Sequence, residues 1–118
     1  MFERALVINE ATYGPDHSTV GTARNNLGLV LQDLADLAGA RAQLERALVI
    51  DEAAYGPDHP AVGRDRNNLG GVLKDLGDLA GARAQLERAL VIDEAAYGPD
   101  HPTVATVRAN LLGLPDEP

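Results

Sequence analysis

The residues best suited to chemistry in this chain are aspartate–histidine pairs. The pair occurs three times, with the histidines at His17, His59 and His101. A metal site would require these ligands to converge on one ion, but their 42-residue spacing places them in successive repeats, which stack on the order of 10 Å apart. We therefore interpret the pairs as caps at the start of helices and expect no metal site.

A serine follows the first pair, so that Asp16, His17 and Ser18 contain the residue types of a hydrolytic triad. Neighbours in sequence do not readily adopt the geometry that nucleophile, base and orienting acid require. The glycines also lack the spacing of GxxxxGK or GxGxxG phosphate-binding loops. The chain contains no cysteine, which excludes disulfides and thiolate catalysis. We expect a protein that is not an enzyme and needs no cofactor.

A repeat of 42 residues organises the chain. The string LERALVIDEAAYGPDHP occurs unchanged at Leu44–Pro60 and Leu86–Pro102, and residues 2–43 match residues 44–85 at 32 of 42 positions. A fixed period of this size is typical of solenoids, in which each unit buries its apolar face against its neighbours. The predicted single domain spans residues 1–118, in units of approximately 2–43, 44–85 and 86–118.

Within each unit, apolar residues recur every three or four positions, which is the period of an amphipathic helix. Pro60 suits the first turn of a helix A, and Gly77 can end that helix in the left-handed conformation. Asp78 then caps a helix B, which Gly98 and Pro99 stop. We predict an all-α, right-handed solenoid of antiparallel helix hairpins without strands. The predicted helices are B at about 2–13, A at 17–34, B at 37–55, A at 59–76, B at 79–97 and A at 101–113.

The two faces of helix B differ in polarity. The predicted inner stripe consists of Leu79, Ala82, Leu86, Ala89 and Leu90. The predicted outer residues are Glu87, Arg88, Asp93 and Glu94. First-turn glycines, as at Gly81, are unusual, because glycine there is disfavoured by roughly 0.5–1 kcal/mol relative to alanine.

The segment NNLGLVLQDLADLAGARAQLERALVIDE resembles a tetratricopeptide repeat. In that family a Leu-Gly pair in helix A and two alanines seven residues apart in helix B let the helices of a hairpin approach closely. The corresponding residues are Leu27, Gly28, Ala40 and Ala47, and again Leu69, Gly70, Ala82 and Ala89. The 42-residue period, the NNL start and the YGPDHP connection are more similar to the kinesin light chain type. The resemblance implies binding of a protein or peptide in the concave groove lined by the A helices, and our leading hypothesis is a module of a larger regulator or adaptor.

The first two units differ mainly in helix A and its entry, where positions 18, 22, 29 and 32 form one stripe. We expect this stripe to be polar and exposed; the alternative is sequence drift where packing imposes nothing. Asn25 and Asn67 lie on it, and their amides can hold the backbone of an extended peptide, a role that the resemblance also gives to groove asparagines. Arg64 and Lys74 can contact an acidic ligand. The predicted groove comprises Thr22, Asn25, Leu29, Gln32, Arg64, Asn67, Gly71 and Lys74.

In the third unit Ala109 replaces Asn67, which predicts that the series of groove asparagines ends there. The charge of the whole chain, −8, disfavours nucleic acid and anionic lipid, because both require clustered lysine and arginine. No apolar run approaches the roughly 20 residues of a membrane span, and the N-terminus has no basic-then-apolar signal. We expect a protein or peptide partner, no nucleic acid or membrane partner, and a cytoplasmic location.

The ends of the chain suggest an alternative function. The first helix B lacks a preceding helix A, and the apolar residues Val104, Leu111, Leu112 and Leu114 lack a following helix B. Such ends can pair between molecules, which would make the chain a self-assembly element. Leu112 replaces the small Gly70 of the previous unit, which argues against filaments. The alternative to peptide binding is therefore a weak homodimer formed through the terminal helices.

Overall fold

Residues 18–115 are described by a computed structural model of the chain. They form five α-helices and no strand: α1 at Ser18–Asp33, α2 at Leu37–Tyr55, α3 at Pro60–Asp75, α4 at Leu79–Tyr97 and α5 at Pro102–Leu112. The all-α prediction is confirmed, and the ends of these helices fall within one residue of the predicted ones. The predicted helix B at about 2–13 lies outside the described residues.

The helices alternate as A helices (α1, α3 and α5) and B helices (α2 and α4). The most extensive contacts are those between an A helix and the B helix that follows it, α1 with α2 and α3 with α4. Each B helix also packs against the next A helix, but less extensively. Close approach within a hairpin depends on glycine: a Cβ atom at Gly70 would lie 2.8 Å from Cγ of Leu86, and one at Gly28 would lie 2.7 Å from Cγ of Leu44. The predicted Leu-Gly and alanine positions therefore form the seam between the two helices.

The B helices begin at an aspartate cap. The side-chain Oδ1 of Asp36 accepts a hydrogen bond of 3.0 Å from the backbone N–H of Gly39, and Asp78 accepts one of 2.9 Å from Gly81. A Cβ atom at Gly39 would lie 2.5 Å from Oδ2 of Asp36. A side chain at either first-turn glycine would press on the carboxylate that folds over it, which gives a physical reason for a poor helix former at this position.

The turns that follow α1 and α3 each contain a residue with positive φ. Gly77 has φ of 87°, as predicted, and Ala35 holds the equivalent position after α1 with φ of 63°. The left-handed conformation is costly for a residue with a Cβ atom. The turn after α1, which has Ala35 at this position, is therefore strained, whereas the turn after α3, which has Gly77, is not.

The YGPDHP connection joins a B helix to the next A helix. The ring of Tyr55 stacks on His59 with centroids 4.2 Å apart, and Gly56 between them has φ of 89°. Nδ1 of His59 accepts a hydrogen bond of 3.0 Å from the backbone N–H of Ala61, and Pro60 occupies the first turn of α3. The connection thus positions the start of each A helix against the end of the preceding B helix.

The apolar residues of α5 and of the turn after it are mostly covered by the chain itself. Val104 and Leu114 are buried, and Leu111 packs partly against the core. These three side chains therefore already pack inside the described part of the chain, which leaves Leu112 as the apolar side chain of the four that is open to a partner. Leu112 is 85% exposed. Between residues 18 and 115, no helix has the length and apolar character needed to span a bilayer.

Candidate functional site on the A-helix face

The predicted groove residues lie on one stripe of α1 and α3, which we call the A-helix face. α5 continues this face with Thr106, Ala109 and Gly113, each 42 residues after its counterpart in α3. The face is held together by side-chain bonds between consecutive A helices. The predicted residues on it are Thr22, Asn25, Leu29 and Gln32 of α1, and Arg64, Asn67, Gly71 and Lys74 of α3.

Asparagine side chains link consecutive A helices. Nδ2 of Asn68 donates a hydrogen bond of 3.0 Å to Oδ1 of Asn25, and Nδ2 of Asn110 donates one of 3.0 Å to Oδ1 of Asn67. Each link joins the first asparagine of one unit to the second asparagine of the next, so Asn110 makes its link although Ala109 stands where Asn67 has its counterpart. Asn25 is only 2% exposed, so the expectation that the whole stripe is exposed is wrong at this residue.

A third side-chain bond between consecutive A helices joins residues with the same separation in sequence. Nε2 of Gln32 donates a hydrogen bond of 3.0 Å to Oδ2 of Asp75. All three links join residues 43 positions apart, one more than the repeat length. Asn68, Asn110 and Asp75 were not predicted, because a comparison at the repeat length of 42 pairs equivalent positions, whereas these links join a residue to the one after its equivalent.

Arg64 is turned toward two buried carboxyl groups. Its Nη2 donates to Oδ2 of Asp51 and to Oδ1 of Asp65, both at 3.1 Å. Both aspartates are almost fully buried, whereas the Arg64 side chain is 38% exposed. The predicted contact of Arg64 with an acidic ligand would therefore compete with ion pairs inside the chain.

One of the two carboxyl groups beside Arg64, that of Asp65, has a raised pKa. Burial raises the pKa of Asp65 to about 8, the hydrogen bond with Asp51 and its negative charge act in the same direction, and Arg64 acts against them. Oδ1 of Asp51 and Oδ2 of Asp65 are buried without a hydrogen-bond partner. A proton on Asp65 resolves this, because the protonated carboxyl can donate to its neighbour.

Asp93 is the counterpart of Asp51 in α4, and it was not expected inside the protein. Asp93 was predicted to be an outer residue, but it is 1% exposed. Its Oδ2 is buried without a hydrogen-bond partner. Burial raises the pKa of Asp93, and the charge of His101 opposes this shift. The burial has a local cause: Gly63 lacks the Cβ atom that would lie 2.5 Å from Oδ1 of Asp93.

Two depressions lie between α3 and α5 on the A-helix face. The first has a volume of about 260 Å³, and its lining includes Arg64, Asn67, Asp93, Tyr97, Thr103 and Thr106. The second has a volume of about 220 Å³, and its lining includes Gln32, Gly71, Lys74, Asp75, Asn110 and Gly113. Five of the eight predicted groove residues therefore line a depression, and Thr22, Asn25 and Leu29 line neither of them.

The aspartate–histidine pairs have structural roles where they are described. His101 repeats the cap of His59, with Nδ1 accepting a hydrogen bond of 3.1 Å from the backbone N–H of Thr103. Asp58 instead forms an ion pair of 2.6 Å with Arg88. The capping prediction is confirmed for these two histidines, and the pair at positions 16 and 17 lies outside the described residues. Within the described part of the chain, no group of three or more His, Cys, Asp or Glu residues could hold a metal ion.

Alternating antiparallel helices, a 42-residue period and side-chain links between successive A helices define a helical-hairpin solenoid. The sequence profile of the tetratricopeptide repeat matches residues 1–53, 19–95 and 66–113. The chain belongs to the tetratricopeptide repeat family and is of the kinesin light chain-like type. No curated protein matches the chain.

Two solved structures are similar to this fold. The crystal structure of BtubC (BKLC) from P. vanneervenii has a TM-score of 0.84 and 25% identity over 93% of this chain and 44% of that one. The crystal structure of a putative kinesin light chain from P. anserina, with nearly identical TPR-like repeats, has a TM-score of 0.85 and 19% identity over 93% of this chain and 52% of that one. The chain thus spans about half the length of these two proteins.

Proposed function

We propose that the chain is a binding module, not an enzyme, which holds a protein segment along the A-helix face as part of a larger regulator or adaptor. A cytoplasmic location belongs to the same proposal. The observation that carries it is the pair of depressions between α3 and α5, lined by five residues of the predicted groove. Repeat proteins of this kind generally mediate contacts between proteins.

The distribution of sequence differences supports this choice of face. α2 and α4 have the same sequence, whereas the A helices differ at groove positions such as Leu29 and Gly71. At Gly71 the nearest atom to an added Cβ would be Nε2 of Gln32, 3.6 Å away. The missing side chain therefore leaves open space beside Lys74, where part of a ligand can lie.

A selection experiment tests the proposal even though the natural partner is unidentified. Random peptides displayed on phage are selected on the immobilised protein, and the affinities of the selected peptides are measured by isothermal titration calorimetry. Lys74→Ala removes an exposed charge from the second depression, and Gly71→Val fills its floor. We expect these variants to weaken binding about tenfold, since lost interface contacts of this kind cost on the order of 1–2 kcal/mol.

The control variants lie on exposed positions of helix α4. Glu87→Ala and Val91→Ala change side chains exposed on the B-helix surface and should leave the affinities within about twofold. Thermal melting accompanies each measurement, so that loss of folding is separated from loss of binding. If the affinities of the selected peptides fall in the α4 variants but not in Lys74→Ala, the binding face lies on the B helices and the proposal is rejected.

The weak homodimer expected from the ends of the chain stays a prediction. Sedimentation velocity at about 100 μM, well above a micromolar dissociation constant, measures it directly. A concentration-dependent shift to twice the monomer mass would support self-assembly. Leu112→Ser should abolish that shift if the exposed Leu112 side chain lies in the contact.

A further inference from the structure

Each B helix buries one carboxyl group near its C-terminal end. Asp51 in α2 and Asp93 in α4 are each 1% exposed. A glycine of the preceding A helix makes room for each of them: a Cβ atom at Gly21 would lie 2.5 Å from Oδ1 of Asp51, and one at Gly63 would lie 2.5 Å from Oδ1 of Asp93. The chain therefore builds the same buried carboxylate site twice.

The following A helix completes the two sites differently. At the first site α3 supplies Arg64, whose Nη2 lies 3.1 Å from Oδ2 of Asp51. At the second site α5 has Thr106 in the corresponding position, 42 residues later. Oδ2 of Asp93 is left without a hydrogen-bond partner although it is buried. Burying a carboxyl oxygen without a hydrogen-bond donor is unfavourable. At the first site the guanidinium of Arg64 is the donor to the corresponding oxygen.

The second site borders the first depression. Asp93, Thr106 and Tyr97 all line this cavity of about 260 Å³. The cavity is smaller than the ~300–1,000 Å³ of typical small-molecule pockets, so it suits one side chain better than a cofactor. Tyr97 contributes an aromatic ring, a type of group that attracts guanidinium ions.

The charge already present in the cavity does not prevent a second cation from entering. Arg64 also lines the cavity, but its guanidinium is 3.1 Å from side-chain oxygens of both Asp51 and Asp65. The local charge of Arg64 is therefore compensated, and Asp93 remains the unpaired acid of the cavity.

We infer that the first depression binds the arginine side chain of a peptide partner, whose guanidinium pairs with Asp93 as Arg64 pairs with Asp51. This inference rests on the proposed function, because it names a residue that the bound peptide carries. Lysine is a poorer ligand, since its ammonium group is more strongly hydrated and lacks the planar fork that matches a carboxylate.

A short peptide tests the inference directly. An acetylated Gly-Ser-Arg-Ser-Gly amide is titrated into the ¹⁵N-labelled protein, and binding is followed through the amide signals of Thr103 and Thr106. The same peptide with citrulline in place of arginine is the neutral, nearly isosteric control. We expect a dissociation constant on the order of 1 mM for this single anchor. The citrulline peptide should bind at least about tenfold more weakly, because it lacks the charged hydrogen bond.

Two variants assign the binding to Asp93. Asp93→Asn removes the charge and should weaken binding of the arginine peptide at least about tenfold. Asp100→Asn removes one exposed charge nearby and should leave this affinity unchanged.

Thr106→Arg gives α5 the residue that α3 has at this position, so the arginine side chain of the variant should occupy the site itself. It should abolish peptide binding and raise the melting temperature, whereas Thr106→Gln should do neither.

Several results would overturn the inference. Equal affinity for the arginine and citrulline peptides would show that charge is not recognised, and undiminished binding by Thr106→Arg would place the peptide elsewhere. If Asp93→Asn fails to fold, the comparison of Thr106→Arg with Thr106→Gln still tests whether the peptide binds beside Asp93. Library peptides that depend on Lys74 but carry no required arginine would reject this inference and leave the proposed function standing.

Discussion

The side-chain nitrogen of Asn68 donates a hydrogen bond of 3.0 Å to the side-chain oxygen of Asn25, which lies 43 residues earlier in the chain. The bond crosses from one A helix to the next, and its acceptor is 2% exposed. An equivalent bond joins Asn110 to Asn67 at an exposed position. The chain therefore contains the same interaction in two environments.

This pair of bonds gives the first prediction. Asn68→Ala leaves the buried oxygen of Asn25 without its donor, so we expect a loss of about 1–3 kcal/mol in the free energy of unfolding. Asn110→Ala should cost less than about 0.5 kcal/mol, because water replaces the donor at an exposed site. Urea denaturation of both variants measures the difference. Equal losses would show that burial does not govern the strength of these bonds.

The second prediction concerns the turn after α1. Ala35 has φ of 63°, whereas the equivalent Gly77 has φ of 87°. Ala35→Gly should raise the free energy of unfolding by about 0.5–1 kcal/mol, because relief of left-handed strain exceeds the entropy that glycine adds to the unfolded chain. The reciprocal Gly77→Ala should lower it by about 1 kcal/mol. Chemical denaturation checks both, and a shift of the same sign in the two variants would contradict the explanation.

Adjacent glycines in α3 give the third prediction. A Cβ atom at Gly70 would lie 2.8 Å from Cγ of Leu86, but one at Gly71 would lie 3.6 Å from its nearest neighbour. Gly70→Ala should therefore destabilise by about 1–3 kcal/mol through overpacking. Gly71→Ala should stabilise by up to about 1 kcal/mol through helix propensity. Thermal melting distinguishes the two, and similar melting temperatures would mean that the hairpin seam opens easily.

The fourth prediction follows from the raised pKa of Asp65. Its ordinary value of 3.8 applies to the unfolded chain and a value of about 8 to the folded one, so the folded protein binds the extra proton between these limits. The contribution of Asp65 to stability is therefore fully present below pH 4 and is lost as pH rises through 8. Asp65→Asn keeps a donor for Asp51 and removes the titration.

Denaturation of the Asp65→Asn variant at several pH values tests this sign. The variant should gain stability relative to the parent protein as pH rises from about 4 to about 8, and the difference should then level off. Asp33→Asn changes an exposed carboxyl group and serves as the control. A difference that stays constant or shrinks with rising pH would mean that the pKa of Asp65 is not raised in the folded protein.

The fold could be predicted well because its determinants are local or strictly repeated. Pro60, Gly77 and Asp78 mark helix ends through their own backbone preferences, and the repeat length places each unit on the next. The burial of Asp93 could not be predicted this way. It depends on space left by Gly63 of another helix, and a carboxylate on a helix otherwise indicates an outer face.

The site was predicted only in part, for a related reason. The stripe of spacing 3 and 4 identified the A-helix face, so that Gln32, Gly71 and Lys74 were found beside one depression. The direction in which each polar side chain turns was not encoded in that spacing. Arg64 faces inward because buried acids attract it, and one of these acids, Asp51, belongs to a different helix.

The identity of α2 and α4, which share the sequence LAGARAQLERALVIDEAAY, has a consequence for how such a chain can change length. Joining the first part of α2 to the matching second part of α4 would delete one block of 42 residues, and the reverse joining would duplicate one. The junction would fall inside a helix whose residues are the same on both sides. The new protein would gain or lose one helix A together with one helix B. In the shortened chain the remaining helix B would be followed by α5 and not by α3, so that Thr106 would stand beside its buried carboxyl group in place of Arg64.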